Sequence, residues 1–186
     1  MFAKKLAAAL LAVMAAVSFT DAASAAKKVI KKEPVQTSTP APTRIEQFQA
    51  WGAYFYKAGT GKVCYVLTVP DPKQSTPAKV NHGDVFFLVT QRPGQNISYE
   101  PQAMVGYDLQ AGSKVTVTVD NKPFTMFTKG RSAWLENAAE EPALVAALRS
   151  GHQMTMGAVS GKGTKTGYVF SLKGISAALK KIERCQ

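Results

Sequence analysis

Thiols and imidazoles are scarce in this sequence: its 186 residues hold two cysteines, Cys64 and Cys185, and two histidines, His82 and His152. None of the four stands at the close spacing of a zinc-ligand pair, so a metal centre is not expected. Carboxylates are also few, 12 against 23 lysines and arginines, and no two of them stand out as the acid pair of a glycosidase. No serine occupies a Gly-x-Ser-x-Gly elbow. Gly59-Thr60-Gly61-Lys62 and Gly161-Lys162-Gly163 fail the phosphate-loop pattern. The residue after each lysine is wrong, and Tyr56 and Met156 stand where the first glycine belongs. His82 lies two residues from Asp84, but a loop histidine beside a turn aspartate is ordinarily structural, and His152 follows a helix in a turn. The sequence therefore predicts no catalytic residue, no cofactor and no enzyme.

Long apolar runs are missing after the first 25 residues. Residues 6–19 are apolar but shorter than the ~20 residues needed to cross a bilayer. They follow Lys4 and Lys5 and precede the small-residue site Ala23-Ser24-Ala25, the layout of a secretory leader. Cleavage near Ala25 is expected, giving a periplasmic, outer-membrane-associated or secreted protein with no membrane-spanning segment. No cysteine follows the leader, so a lipid anchor is not indicated. Two cysteines in an oxidising compartment most simply pair with each other.

What remains is basic. Removing Lys4, Lys5 and Asp21 lowers the formal charge of +11 by only one, which favours anionic surface components as partners. Residues 26–44 combine four lysines with Pro34, Pro40 and Pro42 and read as a flexible basic linker. Residues 45–186 then read as one domain.

The pattern of that domain is β-like. In residues 51–56, Trp51, Ala53 and Phe55 fall on one face while Tyr54 and Tyr56 fall on the other. A Gly-rich turn leads to a second strand over 63–69 carrying Cys64. Residues 84–91 are apolar nearly throughout and read as a central strand, with weaker strands at 97–100 and 103–107. Val115, Val117 and Val119 alternate with threonines, and Asp120-Asn121 suits a tight hairpin into 123–128. A further hairpin joins 153–160 to 166–172. Pro142 and the stripe Leu144, Val145, Leu148 predict one helix, ended by Gly151. Ile175, Ala178, Leu179 and Ile182 predict another, with Cys185 on the same stripe, so Cys185 faces the sheet where Cys64 lies. Gly174 gives the bend into this helix. The expected fold is a mainly antiparallel β-sandwich of seven or eight strands with two short helices and the disulfide Cys64–Cys185.

Phe48, Trp51, Tyr54, Phe55, Tyr56 and Tyr65, with Lys57 and Lys62 nearby, invite a stacking-surface reading. Trp51 and Phe55 belong to the core, leaving Tyr54, Tyr56, Lys57 and Lys62 as candidate surface contacts. Export argues against nucleic acid as the partner.

Phe127-Thr128-Lys129-Gly130-Arg131-Ser132-Ala133-Trp134, Ser160-Gly161-Lys162-Gly163-Thr164 and Phe170-Ser171-Leu172-Lys173-Gly174-Ile175 form an ordered set. With Trp51, Cys64-Tyr65, Ile182 and Cys185, it resembles the invasion-associated locus B family of exported alphaproteobacterial proteins. The resemblance covers roughly residues 45–186. It implies a β-rich envelope domain, linked in some pathogens to entry into host cells, and it transfers no catalytic or cofactor residues. Many members carry a closely spaced cysteine pair in mid-domain; residues 128–135 have none here, which marks a two-cysteine branch. The functional expectation is a non-catalytic envelope protein contacting envelope or host proteins. The alternative is a binding protein holding a small or lipidic ligand between its sheets.

Overall fold

The computed structural model describes residues 41–59 and 61–185, so the leader and nearly all of the basic linker lie outside the described residues. Ten strands form: β1 (Thr43–Phe48), β2 (Trp51–Ala58), β3 (Gly61–Thr68), β4 (Phe86–Arg92), β5 (Ile97–Met104), β6 (Lys114–Val119), β7 (Lys122–Lys129), β8 (Ser132–Leu135), β9 (Gln153–Val159) and β10 (Lys165–Ser171). Helix α1 (Glu141–Ser150) precedes β9, and α2 (Ile175–Ile182) follows β10. The strands pair in one antiparallel order, β1-β2-β3-β4-β5-β8-β7-β6-β9-β10.

This sheet folds back on itself as a sandwich does. Phe87 of β4 meets Phe170 of β10 edge-on across the core, with ring centroids 6.4 Å apart. The indole N–H of Trp51 donates to the Ser171 carbonyl at 3.0 Å, and the Ala50 N–H donates to the Lys173 carbonyl at 3.2 Å. The outer edge of β10 is not left bare. The segment after β3 bonds to it through Asp71 N–H to Val169 O, and through Thr76 and Gly167, which exchange both backbone bonds. Covering an edge in this way removes a template for unwanted strand addition.

Ten strands exceed the seven or eight expected, and the causes are local. β1 is exposed at five of its six positions, so it lacks the alternating apolar signal by which a strand is read. β8 is only four residues long, though Ala133 and Leu135 are buried. In the other direction, the two weaker strands expected at 97–100 and 103–107 are one: β5 runs unbroken through Pro101, because its ladder to β8 begins only at Gln102 and the missing N–H costs no bond on that side. The β6–β7 hairpin turns on Asp120, whose φ is +50°.

Both helices bury the stripes read from their sequences: Leu144, Val145 and Leu148 of α1, and Ile175, Ala178, Leu179 and Ile182 of α2. α2 lies against β1, β2 and β3. Cys185, just past its end, joins Cys64 of β3 with Cα atoms 5.7 Å apart across a sequence separation of 121. Gly174 enters the helix at φ +95°, and a Cβ there would come within 1.9 Å of the Phe48 carbonyl oxygen. No other residue type fits that contact.

Replacing both cysteines by serine is expected to lower the unfolding free energy by about 2–5 kcal/mol in denaturant titrations. Unchanged stability would show that the bond closes no loop that matters. Gly174→Ala combines backbone strain with a clash against Phe48, so its loss should be at least as large.

Candidate functional site

β alternation puts one face of each strand into the core and leaves the other to solvent, and residues paired across neighbouring antiparallel strands share a face. On β2, Trp51 and Ala53 are fully buried while Tyr54 and Tyr56 remain partly exposed. The register carries their outer face across the sheet. Tyr54 pairs with Tyr65; Leu67 pairs with Leu88; Leu88 with Gln102, and Phe86 with Met104; Gln102 with Trp134; and Trp134 with Phe127. The result is a continuous apolar and aromatic surface on β2, β3, β4, β5, β8 and β7.

Its rings are organised. Tyr54 stacks on Tyr65 at 5.3 Å with planes 13° apart, Tyr56 meets Tyr65 edge-on at 6.3 Å, and Phe127 stacks on Trp134 at 5.9 Å. Gly52 makes room for this: a Cβ there would meet the Tyr54 ring at 2.6 Å. Burial and the neighbouring Tyr54 and Tyr56 phenols raise the Tyr65 pKa, keeping it neutral. A groove of about 400 Å³ runs between Tyr56, Tyr65, Leu67, Phe86, Leu88 and Met104. Phe127 is 39% exposed. The Arg44 guanidinium lies 5.7 Å from the Tyr54 ring centre, a cation–π distance.

Lys57 and Lys62 do not belong to this surface. They pair with each other across β2 and β3, on the face that carries Phe55 and Cys64. Lys62 Nζ sits 5.3 Å from the centre of the Phe55 ring, and both lysines border a hollow beside Pro93, Gly94 and Cys185. The four candidate contact residues thus divide into two tyrosines on one face and two lysines on the other.

A second feature is a cleft of about 480 Å³ where the loop at 80–82, Tyr107, Asp108 and the β9–β10 turn converge. A chain of side chains runs along its wall. His82 Nε2 lies 3.0 Å from the Pro77 carbonyl and Nδ1 2.9 Å from the Tyr168 hydroxyl. Tyr168 is 3.0 Å from Tyr107, and Tyr107 is 2.6 Å from Thr166, which donates to the Ala158 carbonyl. A carbonyl can only accept, so His82 Nε2 carries a hydrogen toward Pro77; each hydroxyl has one hydrogen and Thr166 gives its own to Ala158, so Tyr107 donates to Thr166 and Tyr168 donates to Tyr107. Burial foremost, and the bond with Tyr107, push the Tyr168 pKa well above its ordinary value, so this phenol stays protonated. His82 therefore bonds to Tyr168 and not to Asp84, and it pins the 70–84 segment onto β10.

His152 is elsewhere, with its side chain 94% exposed and Nδ1 3.7 Å from an Asp120 carboxylate oxygen. Asp120 accepts backbone N–H bonds from Gln153 and His152, which hold its pKa below the ordinary carboxylate range. Neither histidine stands beside an activated hydroxyl or thiol. Among the described residues, no group of three or more His, Cys, Asp or Glu is placed to hold a metal ion. No described helix is long and apolar enough to cross a membrane.

Sequence reasoning found Tyr54 and Tyr56 but missed Phe127, Trp134, Phe86 and Leu88. The signal was present for Phe127, an aromatic on the threonine-bearing face of its hairpin.

Tyr168→Phe removes the hydroxyl at the centre of the chain while keeping the ring in the core. It should cost about 1–3 kcal/mol, since His82 and Tyr107 lose a shared partner. A chemical-denaturation curve superimposable on that of the unaltered chain would contradict this pinning role.

Searches among curated proteins and among solved structures find no match. A family model for the Invasion associated locus B (IalB) protein matches residues 52–183, the span from β2 to just beyond α2. The pairing of that match with an antiparallel β domain closed by Cys64–Cys185 leads to one conclusion: the chain belongs to the invasion-associated locus B family.

Proposed function

We propose that this chain is an exported, non-enzymatic protein of the cell envelope whose work is contact, made through the aromatic outer face of β2–β5, β8 and β7. The observation that carries this reading is the face itself. Six neighbouring strands carry tyrosines, phenylalanines, leucines, a methionine and a tryptophan on one outer face, where they are partly exposed and Phe127 is exposed. Exposed apolar patches of that continuity mark interaction sites. Family membership and the leader-like residues 1–25 support an envelope location, periplasmic or outer-membrane-associated, reached after cleavage near Ala25. A part in host-cell entry, in keeping with the family's name, would act through the same face.

A ligand held between the sheets finds less support. Trp51, Phe87, Met126, Met154, Met156, Tyr168 and Phe170 fill that space, and each is at most 2% exposed.

A photo-crosslinking phenylalanine analogue at Tyr54 or at Phe127 tests the proposal in living cells. Adducts are expected from both positions and not from Thr155, an exposed residue of β9. Equal yields from all three, or none from Tyr54 and Phe127, would contradict it.

A further inference from the structure

We infer that the partner of the aromatic face is the surface of an anionic lipid bilayer, an inference that rests on the contact reading above and gives it a chemical identity. Three observations converge on it: ring chemistry, charge and area.

The rings are those that favour a membrane–water boundary. Tyr54, Tyr56, Tyr65 and Trp134 each join an apolar body to one polar group, and such rings settle at the headgroup level. Phe86, Phe127, Leu67, Leu88 and Met104 stand among them and supply the apolar surface that enters the acyl boundary.

Charge is distributed to match. Arg92 and Glu100 pair with each other at one margin, as do Lys114 and Glu136 at another. Arg44 and Lys129 stand at the edges of the same outer face and, like several lysines elsewhere among the described residues, form no ion pair with a carboxylate. Arg44 pairs with Tyr54 on β1, and Lys129 pairs with Ser132 on β7, so these two cations bracket the patch. A negatively charged leaflet attracts cations so placed. A second copy of this chain would instead bring two strongly basic molecules together, each with a formal charge of about +10 once residues 1–25 are removed.

Area points the same way. From β2 to β7 there are five inter-strand spacings, about 24 Å along the sheet, and the patch is about 14 Å deep along β4. That gives about 340 Å², less than half of the ~800 Å² that each partner contributes to a standard protein interface. Bilayer attachment needs no such minimum, because modest apolar burial and electrostatic attraction act together.

The two tryptophans make the test direct. Trp51 is wholly buried and gives a constant background, while Trp134 lies on the face. The purified chain is titrated with vesicles of phosphatidylcholine alone and of phosphatidylcholine doped with phosphatidylglycerol. The doped vesicles should shift the tryptophan emission to shorter wavelength. They should also bind the chain more tightly than the neutral ones, the two juxtamembrane cations contributing about thirtyfold. Lys27, Lys28, Lys31 and Lys32 attract every variant equally, so the decisive comparison is between faces. F127S combined with Y54S should abolish the shift and reduce co-sedimentation severalfold, with Trp134 retained as reporter and circular dichroism confirming the fold. R44Q with K129Q should lower the preference for doped vesicles by about that factor, leaving the part that the linker lysines supply. No shift with the unaltered chain, or binding that survives F127S/Y54S unchanged, overturns the inference. If crosslinking from Phe127 captures a protein while vesicles leave Trp134 unmoved, the lipid assignment falls and the contact reading stands. If neither occurs, both fall.

Discussion

The last strand and helix of the domain are clamped onto β2 and β3, and the arrangement of the sheet depends on that clamp. Four contacts meet there. The Trp51 indole donates to the Ser171 carbonyl, Ala50 donates to Lys173, Gly174 lets the backbone pass against Phe48, and Cys185 is bonded to Cys64. Together they hold the last strand and its following helix against β2 and β3, at the opposite end of the strand order. Burial of the apolar inner face drives the sheet to fold over, and these contacts fix which of its ends meet. In the chain-entropy model, a bond closing a loop this long contributes about 4–5 kcal/mol, comparable to the whole net stability of many domains.

Folding over gives the inner face a core and leaves the outer face to find its own partner. The inner residues of β4, Phe87 and Val89, are fully buried, while Phe86 and Leu88 between them are only partly covered. Neither helix supplies the cover: α1 lies on β5 and α2 on β1–β3 at the core side, where their apolar stripes are spent. An apolar outer face on a highly basic protein is therefore not an accident of one residue. It is a property of six adjoining strands in register.

Much of the fold was legible in the sequence because its signals are local. Alternation marked the strands around Trp51 and Val115, 3.6-residue spacing marked both helices, and the Cys185 stripe placed that thiol toward the sheet. Edge strand β1 was not legible, since a strand exposed on both faces carries no alternation. The site was legible only in part. Tyr54 and Tyr56 announced an outer face by their phase against Trp51. The apolar run in β4 gave the impression of burial on both sides, because periodicity cannot separate a second core from an uncovered surface. Lys57 and Lys62 looked like companions of the tyrosines by sequence proximity, yet Lys57 shares its phase with Phe55 and so faces away. The His82–Tyr168–Tyr107–Thr166 chain spans separations of 86, 61 and 59 residues, which no local pattern encodes.

The central claim is that the aromatic face is covered in the cell. Hydroxyl-radical footprinting tests it most directly, comparing the protein within intact envelopes with the same protein purified. Trp134, Phe127, Tyr54 and Tyr56 should label strongly when purified and weakly in the envelope, while Val69 and Val80, exposed outside the face, label equally in both. Equal labelling of the four aromatics in the two preparations would contradict the account.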